Sequence, residues 1–450
     1  MIILYQTKEK YGLFTSIAMI VGIVIGSGIF FKSDNVLIGT NGSVLLGIAA
    51  FVIAALSIIF GGLSISELAA RTNKPGGAIT YMEVFSGKKL ACSFGWFQNY
   101  VYYPGLIVVV SWVVGIYACT LFNLGDRLEI QIGIGFIFYS VCFFYNVLSA
   151  KFGGYFQNAT MVLKLIPLAV ITVFGLIFGD PAANLALSAG SVGSATLFAA
   201  IGPVIFAYDG WIISTSIAHE VKDSKRNLPL SLVVAPIFVT LVYVLYFVGI
   251  TSFLGADQIM VLGDSHVYLA ATQLLGGFGA KALLIFVIIS VMGTVNGLVL
   301  GYIRIPYSLA LRNMIPWSES LAKENAKLGM PVNSAWFGYV LCIIWTLVHY
   351  LTTARHLLPN SDISEISIAV GYAFYTIMYF QVFCLWQRGE IKGWFKGILC
   401  PFAATVGSLF ILFSCMQSPL FVYYAAFCIL VAIVAYIYYT VKKPQELSQF

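Results

Sequence analysis

The chain has 450 residues, of which 60% are hydrophobic and only 9% charged, with a net charge of +6 and a mean hydropathy of +0.93. A soluble domain carries about 25% charged residues, so a fully solvated surface is excluded. Alternating segments of a membrane barrel are absent as well, and the continuous apolar runs predict an all-α integral membrane protein.

In chain order, apolar runs predict twelve membrane helices near 11–37, 42–68, 92–122, 130–149, 155–179, 195–217, 229–253, 280–311, 332–352, 365–386, 396–416 and 420–440. Lys8 and Lys10 precede the first run as they would in a signal peptide, but the run is too long and no small-residue cleavage site follows. With the N-terminus inside, 18 of the 24 Lys and Arg residues fall in loops of one face. Lys32, Arg127, Lys281 and Arg355 fall on the other, and Lys164 and Arg304 lie within spans. Basic loops stay on the cytoplasmic side, so both termini are expected in the cytoplasm and the protein in the cell membrane. The positive charge then follows from topology and implies no nucleic-acid partner.

The first span contains VGIVIGSGIF at 21–30, with Gly22, Gly26 and Gly28 in the middle of an apolar run. Glycine costs about 1 kcal/mol relative to alanine inside a helix. Gly22-x-x-x-Gly26 is also a pattern of closely packed membrane helices. The sixth span carries its own interruption, Ala207-Tyr208-Asp209-Gly210, which lies 181 positions after Gly26 when Ala207 is counted. Matched interruptions in corresponding spans point to an inverted repeat and a transporter site. The expected units are helices 1–5 (residues 11–179) and helices 6–10 (195–386), followed by two further helices (396–440), all in one domain over 1–450. Backbone leaving a helix at mid-membrane must line a cavity or be buried in protein. Freed N–H groups of Ser27 and Gly28 suit a carboxylate. Freed carbonyls near Val24 and Phe206 suit an ammonium group, so the pair of breaks is shaped for an α-amino acid.

Lys164, in NATMVLKLIPLAV, lies near the midplane, where an ionisable residue marks a functional site by default. Ser290 and Thr294, four apart on the eighth span, share one face and are expected to accept hydrogen bonds from that lysine. Simple structural pairing or snorkelling is the plainer alternative. Asp209 either contacts a substrate ammonium or caps N–H groups freed by the break. Glu67, Glu83 and Glu220 near Arg71, Lys222 and Arg226 read as solvated interface charge in preference to gating ion pairs. The aromatic stretches at 100–105 and 422–427 suit packing or interface belts, and no chemistry is expected of them. Eight isolated cysteines and the dispersed His219, His266, His349 and His356 support neither a metal nor another cofactor.

Several motifs taken together resemble one family. G-S-G-I-F at 26–30 and F-A-Y-D-G-W at 206–211 resemble the amino acid–polyamine–organocation superfamily. E-L-A-A-R-T-N-K-P-G-G at 67–77, Glu220 with R-N-L-P at 226–229, and G-T-V-N-G at 293–297 with Arg304 are similar to its L-type amino acid transporter branch. Within that branch the chain resembles bacterial exchangers of small neutral amino acids. The resemblance covers roughly residues 10–440 and implies a LeuT-like fold with helices 1 and 6 unwound.

The resemblance further implies a substrate site of Val24, Gly26, Ser27, Gly28, Phe206, Ala207 and Asp209. There the carboxylate meets the N–H groups of Ser27 and Gly28, and the amino group meets carbonyls of Val24, Phe206 and Asp209. Phe206 would be a thin gate. Lys164 would occupy the position of a sodium ion in sodium-coupled relatives, its ammonium bridging carbonyls of helix 1 to the hydroxyls of Ser290 and Thr294. The implied activity is sodium-independent exchange of alanine, serine, cysteine and threonine by alternating access. Proton-coupled symport, or a broader or cationic substrate range, is the alternative. Animal relatives pair with a single-span glycoprotein through a cysteine after helix 3. The loop FNLGDRLEI at 122–130 has none, and Cys119 falls within the helix, so no such partner is expected. An enzyme, a receptor and an ion channel fit less well: ionisable residues inside the spans are sparse, no sizeable soluble domain is present, and no filter-like repeat occurs.

Overall fold

The computed structural model describes residues 12–72, 76–187, 194–212, 221–358 and 361–442. The chain begins with α1 (Leu13–Val24), α2 (Gly28–Phe31), α3 (Ser33–Gly39), α4 (Val44–Ala69), α5 (Gly77–Ser86) and α6 (Lys88–Phe97). It continues through α7 (Tyr103–Phe122), α8 (Leu128–Leu148), α9 (Ala150–Leu163), α10 (Leu165–Phe178), α11 (Pro181–Leu187) and α12 (Ser194–Tyr208). The second half holds α13 (Ser224–Leu254), α14 (Ala256–Leu262), α15 (His266–Tyr302), α16 (Arg304–Leu311) and α17 (Ser318–Leu321). It ends with α18 (Val332–Ala354), α19 (Ile363–Gln387), α20 (Cys400–Cys415) and α21 (Phe421–Val441).

Among the described residues, eleven helical segments are long and apolar enough to cross a membrane, and Leu197–Tyr208 is a shorter apolar helix. The protein is thus a multi-pass, all-helical membrane protein. The first expected span, 11–37, is divided into three helices. The eighth begins at His266 rather than 280 and bends at Gly276, whose φ of 71° is outside the helical region. The seventh starts at Ser224, so Pro229 lies inside the helix and leaves the carbonyl of Lys225 without a helical donor. Residues 213–217 of the expected sixth span lie outside the described residues, as do His219 and Glu220.

Prolines account for several interruptions. Pro167 has no N–H for the carbonyl of Leu163, and the helix is interrupted at Lys164 between α9 and α10. Pro306 does the same to Tyr302 between α15 and α16. Pro104 leaves the carbonyl of Tyr100 free, and Trp345 Nε1 donates to it at 2.7 Å. The turn before Pro104 widens into a π-helix, Gln98–Tyr102, a form common at functional sites.

Helix association in a bilayer relies on close packing, because lipid is as apolar as leucine. Here α7 and α8 cross with Gly115 against the backbone of Gln131 and Gly135 against that of Ser111. The α6–α7 segment is central, with 78% of its apolar window buried, whereas α21 is peripheral at 11%. Around this core, α1 packs on α13, α9 and α15, and α12 packs on α3, α4, α19 and α20. Both interrupted helices therefore lie inside the bundle.

Candidate substrate site

α1 stops at Val24 because Ile25 is extended (φ −70°, ψ 103°). No glycine in 22–28 has positive φ. One extended residue breaks the helix, and the glycines answer a different need. A Cβ on Gly28 would overlap the Ala207 Cα and lie 2.8 Å from its Cβ, and one on Gly26 would lie 3.1 Å from Thr294 Cγ2. Gly28 is the point where the two broken helices meet backbone to backbone. Gly22 packs instead on the flexible Met161 side chain, 3.2 Å from a built Cβ. In α12 the chain leaves the helix after Tyr208, and Gly210 takes φ 96°, a region that L side chains avoid.

The break in α1 frees carbonyls, and two side chains take them up. Lys164 Nζ donates to Gly22 O at 2.6 Å and Ile25 O at 2.5 Å. Tyr243 Oη donates to Val24 O at 3.0 Å and to Ala207 O at 2.9 Å, stitching the two breaks together. The expected bonds from Lys164 to the eighth span are not made. Ser290 Oγ is buried without a partner, and Thr294 Oγ1 donates to Ser290 O at 3.4 Å. The reason is local. The carbonyls at the break have lost helical donors and lie within reach, so they take the ammonium's protons first.

Beyond the break, Ser27, Gly28 and Ile29 open the next half-helix, and their N–H groups have no intrahelical acceptor. The Asp209 carboxylate accepts from Tyr102 Oη and from the Gly210 N–H, while Asp209 N–H donates to Phe206 O at 3.2 Å. Its side chain therefore secures the break in α12 against the π-turn of the third span. Phe206 is buried, with its ring tilted on that of Phe31 at 6.3 Å.

Val24, Gly26, Ser27, Gly28, Phe206, Asp209 and Thr294 share one cavity with Leu106, Val110 and Leu298. Ala207 lies directly against Gly28, and Lys164 sits behind the break. The cavity encloses about 20 Å³, room for about one water molecule and too little for an amino acid in this conformation. A larger groove of about 630 Å³ between Trp96, Trp345 and Tyr424 is lined by apolar and aromatic residues and is remote from both breaks. Among the described residues, no group of His, Cys, Asp or Glu is arranged to hold a metal.

Two residues of the site were not expected from sequence. Tyr102 belongs to a stretch read as packing or an interface belt, and Tyr243 lies in an ordinary apolar span. The proline two residues after Tyr102 was the available signal for the first; nothing local marks the second. The carboxylates beside the basic loops also differ from the solvated reading. Glu67 pairs with Arg71 (2.8 Å) and Lys396 (2.9 Å), and Glu83 with Arg312 (2.9 Å). The carboxylate side chains are only 13% and 15% exposed.

The sequence matches known proteins over most of its length. A family model described as amino acid permease matches residues 11–446. The chain is 32% identical to the serine/threonine exchanger SteT of Bacillus subtilis, over 90% of each chain. It is 28% identical to the human cystine/glutamate transporter, over 78% of this chain and 72% of that one. It is also 28% identical to the mouse b(0,+)-type amino acid transporter 1, over 64% and 60% respectively. A match of this extent, on a multi-pass helical bundle broken at the same two spans as its motifs, establishes that the chain belongs to the amino acid permease family of the amino acid–polyamine–organocation superfamily.

Proposed function

We propose that the protein exchanges small neutral L-amino acids, among them alanine, serine, cysteine and threonine, across the cell membrane by alternating access and without sodium. Twelve spans in two inverted units of five, with two further helices, are the architecture of this reading. Both termini face the cytoplasm, and neither an enzyme activity, a cofactor nor a heavy-chain partner is part of it. Cys119 is buried in α7, which supports the last point.

The observation that carries the proposal is the ammonium of Lys164 on the carbonyls of Gly22 and Ile25. A fixed cation already satisfies the oxygens freed by the break, so no mobile cation is needed to hold that segment in place. In the neighbouring cavity the N–H groups of Ser27 and Gly28 receive the substrate carboxylate. Carbonyls of Val24, Phe206 and Asp209 receive its amino group once the cavity opens. The Asp209 carboxylate is engaged by Tyr102 and Gly210, which favours neutral over cationic side chains.

The test is uptake of labelled L-alanine by the purified protein in liposomes, in sodium-free buffer without a pH gradient. Uptake should require unlabelled amino acid inside, and alanine, serine and threonine should exchange while lysine and arginine do not. Equal uptake into empty liposomes sinks obligate exchange. Uptake that appears only with an imposed pH gradient favours proton coupling instead.

Tyr243→Phe removes one hydroxyl that serves two carbonyls. Unpaired buried groups cost about 1–3 kcal/mol, so the initial exchange rate should fall about tenfold while the protein remains monodisperse in detergent. An unchanged rate removes Tyr243 from the transport cycle.

A further inference from the structure

On the face opposite the basic loops, His266 opens α15, and Asp34 lies in the first turn of α3, the far part of the interrupted first span. Both are buried, at 0% and 6% exposure. The connection between the seventh and eighth spans, α14 and the turn at Gly263–Ser265, packs on α3. Gly263 is the point where the two side chains approach. His266 Nδ1 lies 2.6 Å from Gly263 O, and a Cβ built on Gly263 would stand 3.7 Å from Asp34 Oδ2. A carbonyl only accepts, so Nδ1 carries the hydrogen, and in the neutral ring Nε2 is a bare acceptor. That Nε2 is buried without a partner. So is Asp34 Oδ1, although the N–H groups of Asp34 and Asn35 serve the carboxylate. Buried polar groups are paired in the large majority of cases, and here two acceptors that interact electrostatically are left with no hydrogen between them.

Among the described residues, the surroundings supply charge but no hydrogen to either acceptor. Lys32 and Asp264 act on Asp34 through space, and Asp126 acts on Asp264. The Lys32 ammonium is already engaged, donating to Asp362 Oδ2 at 2.8 Å and to Glu365 Oε1 at 2.6 Å. From α7 and α13, Tyr117 and Tyr246 face the same region, and their hydroxyls are buried without partners too. Asp264 is partly exposed, which opens the cluster to the aqueous side.

We infer that His266 and Asp34 form a proton-binding site on the outer face, and that one proton taken up there ties the connection between the seventh and eighth spans to α3. The proton goes from water to Nε2. The ring becomes an imidazolium with two N–H donors, one kept by Gly263 O and the other directed to Asp34 Oδ1 as a charge-assisted hydrogen bond. Histidine ordinarily changes charge between about pH 5 and 8, so the site answers to the medium outside the cell. Without the proton, two acceptors oppose each other and the connection parts from α3 at little cost. With it they hold, and the population shifts toward the form closed on that face. The proton enters and leaves on one side and is not carried across. The kinetic consequence rests on the proposed exchange; the proton site itself does not.

The experiment compares wild type, Asp34→Asn and His266→Leu. Exchange in liposomes is measured at outer pH from about 8 down to about 5.5 with the inner pH fixed, and substrate is varied on each side in turn. Deuterium uptake of segments 30–40 and 256–266, corrected for intrinsic exchange, is followed on the purified proteins over the same range. In the wild type, acid outside should raise the ratio of outer to inner KM about fivefold and lower deuterium uptake of both segments. Asp34→Asn places an amide N–H beside Nε2 at every pH, so its ratio should stay at the acid value. His266→Leu removes the proton's acceptor, so its ratio should stay at the alkaline value. A merely structural pair would move both variants in one direction and leave the pH response in place, which overturns the site. A wild-type ratio and deuterium uptake that ignore pH mean that a fixed water serves both acceptors, and overturn it too. If one variant does not fold, the other decides by loss of the pH response. If the wild type itself exchanges no amino acid, the proposed function fails, and deuterium uptake against pH still decides the proton site.

Discussion

Replacing Lys164 with methionine is expected to lower amino acid exchange about a hundredfold while leaving a folded, monodisperse protein. Methionine keeps most of the side-chain volume but removes the donor that satisfies Gly22 O and Ile25 O. Each orphaned buried carbonyl costs about 1–3 kcal/mol, and about 2.8 kcal/mol corresponds to a hundredfold change in rate or population. The loss falls on the break rather than on the bundle, because α9 and α10 still pack on α15 and α13. The initial rate of exchange in liposomes, beside the thermal midpoint of the purified protein, separates the two effects. A variant that exchanges at the wild-type rate would show that the lysine merely fills space. Sodium dependence in that variant, absent in the wild type, would add direct support for the ammonium as a fixed replacement for a coupling ion.

The second large effect is expected at Gly28. An alanine there places its methyl on the Ala207 backbone, 3.1 Å from the nitrogen and 2.8 Å from the Cβ. Backbone cannot step aside as the end of a side chain can, so the two broken helices must separate. Overpacking of this kind typically costs about 1–3 kcal/mol, and here it also displaces the N–H groups of Ser27 and Gly28 to which the proposed function assigns the substrate carboxylate. Gly28→Ala should abolish measurable exchange, a loss of about two orders of magnitude. Gly22→Ala is the control. Its methyl meets only the flexible Met161 side chain, and activity within about threefold of wild type is expected. Equal activity of Gly28→Ala and wild type would refute the close approach as a requirement; equal loss in both variants would reduce the motif to general packing.

Much of this protein is legible in its residues. Spans of about 20 apolar residues and few charges leave a single class of solution, because backbone in lipid must bond within its own helix. The position of both interruptions was legible too: Gly26 and Gly28 in one span and Asp209-Gly210 in another are costly inside helices. Lys164 stood out for the same reason, as a cation in hydrocarbon.

What the sequence alone left open is how the interruptions are made and held. It suggested that the glycines of the first span loosen the backbone, whereas Ile25 makes the turn and Gly28 admits Ala207. It directed Lys164 to carbonyls of the first span and to the hydroxyls of Ser290 and Thr294, whereas the ammonium bonds the carbonyls alone. It assigned nothing to Tyr102, Tyr243 or the Lys32–Asp362–Glu365 triad. Lys32 and Glu365 are 333 positions apart, and Tyr243 reaches Val24 across 219. Periodicity and composition are local properties and determine where a helix lies and how deep it sits. Partners for a buried donor are chosen among helices distant in the chain, by the crossing geometry that close packing at small residues allows. That choice exists only in the folded bundle.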